Sequence, residues 1–376
     1  MAEQETVASP IEVRTTGQFV ALLDRLKLSL ALSVKPNHIV FLGALDGALT
    51  LQATRVAQPM GLAATPERLA FASARSIVVF VNSARLAAGY PDKPSYYDAY
   101  FIPRTMYFTG ECLMHDMVFA GNAIVAANTN FSCICRIDGR FSFTPLWRPS
   151  FVSELRPQDR CHLNGFAGQD GKLRYVTALA GTDTKQGWRE QSDFSGMLID
   201  TEKNRVLRAD LCMPHSPRLA RDELYLLNSG KGEVLRIDRE TGASTVLATL
   251  PGFTHGLCEH AGVLFVGLSQ NRTTRKDTPP PVAQGAAPLI CGVVAMEATT
   301  GRLIGMAEFM AGITEVYDIQ PLPGICRAGM HNLLMDDGVV GIDTPDSVFW
   351  MKRDGKEDAH LFDARVSGNY TIRASR

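Results

Sequence analysis

The chain has 376 residues, 45% of them hydrophobic and 20% charged, a balance that fits a folded protein with a large core and excludes a disordered one. With 38 basic and 39 acidic side chains and a formal net charge of −1, it lacks the basic excess by which non-specific nucleic-acid binders neutralise phosphates. No uncharged apolar run reaches the length of a membrane-spanning helix, so neither nucleic acid nor membrane is an expected partner.

The opening MAEQETVASPIEVRTTGQ is polar and acidic at its start, without the basic and apolar regions of an export signal. Eight cysteines are scattered with no CxxC pair, which argues against a zinc ribbon and for reduced thiols in a cytoplasmic protein. Residues 1–29 read as an extension with a short helix, roughly Thr16 to Leu28, whose Phe19, Leu22, Leu23 and Leu26 share a face. From residue 30 to 376 the chain reads as one all-β domain of short apolar runs broken by Gly, Asp, Asn and Pro.

Internal similarity specifies the β architecture. HDMVFAGNAIVAANT from His115, HSPRLARDELYLLNS from His215 and HGLCEHAGVLFVGLS from His255 share an anchor, an apolar run, a polar turn and a second run. The second run starts nine residues after the anchor, at Ile124, Leu224 and Leu264. Met60 leads Leu69 by the same nine, His162 leads Leu173 through a longer turn, and further copies are placed at Leu30 and Glu315. Third runs end alike, CRID at Asp138, MLID at Asp200 and LRID at Asp238. The anchors Met60, His115, His162, His215, His255 and Glu315 are 55, 47, 53, 40 and 60 residues apart, the period of propeller blades carrying insertions. The expected fold is a β-propeller of six or seven blades, with insertions near 85–110, 140–160, 182–195 and 272–290. SVFWMK (347–352) and HLFDAR (360–365) are the candidates for closing the ring.

In a propeller the first residues of the innermost strands surround the axis, so His115, His162, His215 and His255 would ring one channel mouth. Imidazole is the commonest side-chain metal ligand. The four histidines are therefore expected to hold a divalent metal, Fe(II) first and zinc or copper next. Glu315 and Asp116 would serve in catalysis, and Asp116, Glu315 and Asp318 as extra ligands or groups orienting the imidazoles. A cationic and aromatic set lies near the anchors or in the insertions: Arg104, Arg148, Arg160, Trp188, Arg189 and Arg218, with Asn164 in CHLNG. These would grip a small anionic or amphipathic substrate, although arginines within propellers also pair with aspartates between blades. There is no P-loop, no GxSxG elbow and no GxGxxG opening a helix.

ALSVKPNHIVFLG, QPMGLA, YYDAYFIPR, LWRPSFVSELRPQDRCHLNG, MPHSPR and LPGFTHGL, in that order between about residues 28 and 325, resemble a bacterial family of conserved proteins of unknown function. The resemblance implies histidine at the counterparts of His115, His162 and His215 and arginine at that of His255, in a PGFTRGL-like motif. His255 is thus a departure, and a three-histidine site is the firmer expectation.

Three functions of different class follow. One is a metal-dependent enzyme performing oxidation or lyase chemistry at the channel mouth. Another is a metal-free propeller binding an anionic molecule, a sugar or a peptide. A protein-interaction scaffold is the third.

Overall fold

The computed structural model of the protein describes residues 10–91, 93–192, 194–270, 279–285, 287–333, 339–352 and 373–375. Within them the chain forms a ring of six blades, numbered here from the N-terminus. Blade 1 combines Glu315–Pro323 with Leu28–Lys35, His38–Leu45 and Ala48–Arg55; blade 2 runs from Leu62–Thr65 outward to Ala99–Phe108. The innermost strands of blades 3 to 6 are Met114–Ala120, Leu163–Gln169, Pro214–Ala220 and Phe253–His260. The six-blade form of the expected propeller is the one observed.

The blades form where the apolar runs were read. In His38–Leu45, HIVFLGAL, every residue but the last is buried, because successive side chains face the two neighbouring blades. The expected bends also hold. Asp200 accepts the backbone N–H groups of Glu202 and Lys203, and Asp238 those of Glu240 and Thr241; these carboxylates close the turns after the third strands.

Ring closure departs from the expectation. Leu28–Lys35 is the second strand of blade 1, and its inner partner is Glu315–Pro323, paired antiparallel from Leu28↔Pro323 to Lys35↔Glu315. The segment Val348–Lys352 instead forms a hairpin with Val339–Asp343. Trp350 of that hairpin donates to the Leu86 carbonyl and packs edge-on against Tyr90 and Tyr100. HLFDAR and residues 271–278 of the last insertion lie outside the described residues. A second clasp uses the other terminus: Glu12–Gly17 pairs with Leu303–Ala311 on the outer edge of blade 6. That pairing starts the helix late, at Phe19–Leu26, with Phe19, Leu22 and Leu23 buried. Among the described residues no helix is long and apolar enough to cross a membrane.

Candidate functional site

The shared repeat position delivers its side chains to one place. His115 and His215 are the second residues of their inner strands, His255 the third, and His162 immediately precedes its strand. Ring centroids of His115 and His162 are 4.9 Å apart and those of His215 and His255 4.4 Å, both pairs edge to face. Tyr317 of blade 1 joins the pairs, 5.6 Å from His115 and 4.7 Å from His255. Five rings from five blades therefore form one arc at the channel mouth. Tyr317 was not singled out in the sequence because the repeat was anchored on Glu315, two residues earlier; Glu315 itself stands at the strand start, opposite Lys35. Lys35 donates to the Pro59 carbonyl and lies over the Tyr317 ring.

Three imidazoles are held by their Nδ1 atoms. His115 Nδ1 meets the Leu113 carbonyl at 3.0 Å and Thr129 Oγ1 at 2.7 Å, and that hydroxyl donates onward to the Leu163 carbonyl. His215 repeats the arrangement, with the Met213 carbonyl at 2.9 Å and Ser229 Oγ at 3.0 Å. The partners stand at the same offsets, two residues before and fourteen after the histidine. His162 uses a carboxylate: both Asp159 oxygens lie within 3.1 Å of its Nδ1, and Trp188 Nε1 donates to the same Asp159 at 2.9 Å. Carbonyls and carboxylates only accept, so each of these histidines carries its proton on Nδ1 when neutral and its lone pair on Nε2. Thr129, Ser229 and Asp159 are positioning residues that a search for chemistry-bearing motifs passes over. The signal that finds two of them is a hydroxyl fourteen residues after a histidine.

A charged layer lies one step deeper along the same strands. Arg218 of blade 5 donates bidentately to Asp116 of blade 3, at 2.8 and 3.1 Å, and its guanidinium is 3.6 Å from Asp318 of blade 1. Each member also bonds the following blade: Asp318 accepts the Leu62 N–H, Asp116 the Phe166 N–H, and Arg218 Nε donates to the Leu257 carbonyl. Leu62, Phe166 and Leu257 each follow a glycine, Gly61, Gly165 and Gly256. A Cβ on Gly61 would stand 2.9 Å from the His115–Asp116 backbone, and one on Gly256, where φ is +75°, 2.9 Å from Asp318 Cα. Six blades thus close with threefold character. Odd blades supply charged side chains across the axis, and even blades supply glycines that let the strands approach. Burial pushes Asp318 up to about 7, with the neighbouring Asp116 adding to the rise and Arg218 and two backbone N–H groups opposing it. Burial works against the Arg218 charge, yet Asp116 and Asp318 hold the guanidinium firmly protonated.

The remaining predicted site residues are dispersed. Trp188 packs on His162 at 4.3 Å and carries the Arg189 guanidinium on its other ring contact, so both flank the mouth. Arg160 is 6% exposed and spends its donors on Gln158, Ser153, Asp183 and Glu154, tying two insertions together. Asn164 links blades 4 and 5 by donating to the Pro214 carbonyl and accepting from Thr177. Arg148 is exposed beyond the outer strand of blade 3. Arg104 lies on the outer strand of blade 2 and acts on Asp343 of the hairpin, away from the histidines. All eight cysteines are buried and unbridged; burial raises the Cys161 thiol to about 12, which suits packing better than ligation. Among the described residues no three His, Cys, Asp or Glu side chains are grouped closely enough, as they stand, to hold a metal ion.

A ring of six inner strands carrying an arc of imidazoles at one channel mouth defines a β-propeller. The chain belongs to a protein family described as a domain of unknown function, DUF4915, whose model matches residues 17–330. No curated protein matches it. Among solved structures, a chain of the nidogen/laminin complex is 13% identical, covering 80% of this chain and all of that one with a TM-score of 0.52. A gluconolactonase from Xanthomonas campestris is 14% identical over 81% and 89% of the two chains (TM-score 0.48), and a protein of unknown function from Bacteroides caccae 11% identical over 78% and 98% (0.47). At these identities the likeness is one of fold.

Proposed function

We propose that the imidazole arc is a small-molecule reaction site in which a divalent metal, held by His115, His162 and a histidine of the second pair, activates the substrate. One observation carries this reading: three imidazoles are fixed through Nδ1 to a carbonyl, a hydroxyl or a carboxylate, which is how proteins orient metal-binding histidines. Two imidazoles on one ion, with nitrogens about 2.0–2.1 Å from it, would hold their ring centres roughly 4.5–5.2 Å apart; the His115–His162 pair, at 4.9 Å, lies in that range and the His215–His255 pair, at 4.4 Å, just below it. A third imidazole would have to come from the second pair, His215 or His255. The metal would act as a Lewis acid on a bound oxygen atom or lower the pKa of bound water. Trp188 and Arg189 would flank a substrate with an anionic group beside His162.

The pairwise stance favours a second reading, a metal-free binding site. A lone-pair-lined mouth then selects a ligand rich in hydroxyl or ammonium donors, such as a sugar, rather than an anion.

Metal content by mass spectrometry of protein purified without affinity tag or chelator, beside a His115→Ala/His162→Ala variant, separates the two. The first reading predicts about one metal per chain, lost in the variant. Absence of stoichiometric metal, even after anaerobic incubation with Fe(II), Zn²⁺ and Cu²⁺, overturns it in favour of the second.

A further inference from the structure

Beyond the charged layer, a cavity of about 700 Å³ lies between blades 3 and 4, the size of a small-molecule site. Along three strands the order is the same: His115, Asp116, then Met117 to Ala120; His215, Arg218, then Leu219; Tyr317, Asp318, then Gln320. The cavity therefore lies on the far side of the charged layer from the imidazole arc. Its walls are apolar and aromatic, with Phe119, Val125, Leu146, Trp147 and Phe166 among them, and its floor is Asp116 and Arg218. Val118 and Leu146 are 47% and 51% exposed, so the cleft opens to solvent. Its rim charges, Asp170 and Lys172, cancel. The floor does not cancel once Asp318 has lost its proton: two carboxylates then face one guanidinium, whose Nε and Nη1 hydrogens go to Asp116 and to the carbonyls of Leu257, Phe166 and Pro217, and whose Nη2 donates to Asp116 on the side facing Asp318.

We propose that this inter-blade cavity is a second binding site, for a small molecule with an aromatic or aliphatic body and a terminal amine. The body packs between blades 3 and 4, and the ammonium meets Asp116 and supplies the positive charge that the Asp116–Arg218–Asp318 layer lacks. A buried carboxylate without a full counter-charge favours a cation, while apolar walls supply the affinity. An anion of the same shape meets the Asp116 carboxylate and finds Arg218 already turned to Asp116 and Asp318.

The test uses titration calorimetry with three probes of one shape: phenethylamine, 2-phenylethanol and phenylacetate. The full-length protein is expected to bind phenethylamine at least ~10-fold more tightly than the alcohol, and phenylacetate weakest, as charge-assisted pairing requires. Val118→Trp, which fills the opening from a half-exposed position, should abolish binding while the melting temperature holds. The His115→Ala/His162→Ala variant should bind phenethylamine as the parent does, so the outcome is independent of any metal at the mouth. Equal binding of the three probes, preference for phenylacetate, no binding at all, or indifference to Val118→Trp would each overturn the proposal.

Discussion

The two layers of the channel share their strands and differ in how they are held. The imidazole layer is fixed from within each blade: His115 and His215 lean on partners two residues before and fourteen after. The charged layer is fixed across the axis, Arg218 reaching Asp116 over 102 positions of sequence. The first is a repeat written once and copied, so it tolerates loss of one member. The second exists only when blades 1, 3 and 5 have all assembled, so it is a lock on the closed ring. Chemistry divides the same way, with imidazoles at the mouth and two carboxylates on one guanidinium below.

If the lower layer is a lock, the largest effect should come from breaking it. Asp116→Ala leaves the Arg218 guanidinium buried without its bidentate partner, and stability measured by urea unfolding should fall by about 3–5 kcal/mol. Removing both charges in Asp116→Ala/Arg218→Met should recover part of that loss. A single-variant cost below about 1 kcal/mol would show that the layer is solvated and no lock at all.

The surplus charge gives the next effect. Asp318 is pushed up to about 7 in the folded protein, from an ordinary carboxylate value of 3.8 when unfolded. The folded state therefore binds more protons between these values, and this group's contribution lowers stability as pH rises from about 4 to 7. Asp318→Asn keeps a side-chain acceptor for the Leu62 N–H and removes the titration. Its unfolding free energy should lose that downward slope relative to the parent, and parallel profiles would refute the surplus.

The mouth should respond more mildly. Trp188→Phe deletes a hydrogen bond to the Asp159 carboxylate and is expected to cost about 1.5–3 kcal/mol, while loosening the orientation of His162. Ser229→Ala removes one of two acceptors on His215 and should cost about 1 kcal/mol. If Ser229→Ala proved as damaging as Asp116→Ala, the contrast between the layers would collapse.

That contrast also explains what could be read in the sequence. The blades were legible because the nine-residue interval from His115 to Ile124 recurs at His215 and His255. The four histidines were legible because they occupy the repeated position. Tyr317 was missed because ring closure takes blade 1's inner strand from the far end of the chain, where no apolar run follows nine residues later to set the register. The same closure made 347–352 look like the clasp, whereas Trp350 is drawn to the tyrosine cluster beside Leu86. Arg218 and Asn164 were grouped as substrate contacts by residue type. Their partners, Asp116 and the Pro214 carbonyl, are set by the pairing of blades and leave no local mark in the chain.

If the proposed metal site is right, His115, His162 and His215 keep their protons on Nδ1, and His115, His162 and a histidine of the second pair take up one ion through Nε2. Long-range ¹H–¹⁵N correlation of chelator-treated protein labelled at histidine, assigned with single His→Gln variants and repeated after one equivalent of Zn²⁺, reads this directly. The expected result is protonated Nδ1 and unprotonated Nε2 signals for all three, with Nε2 signals shifting on metal addition. Protons on Nε2, or a spectrum that Zn²⁺ leaves unchanged, would contradict it.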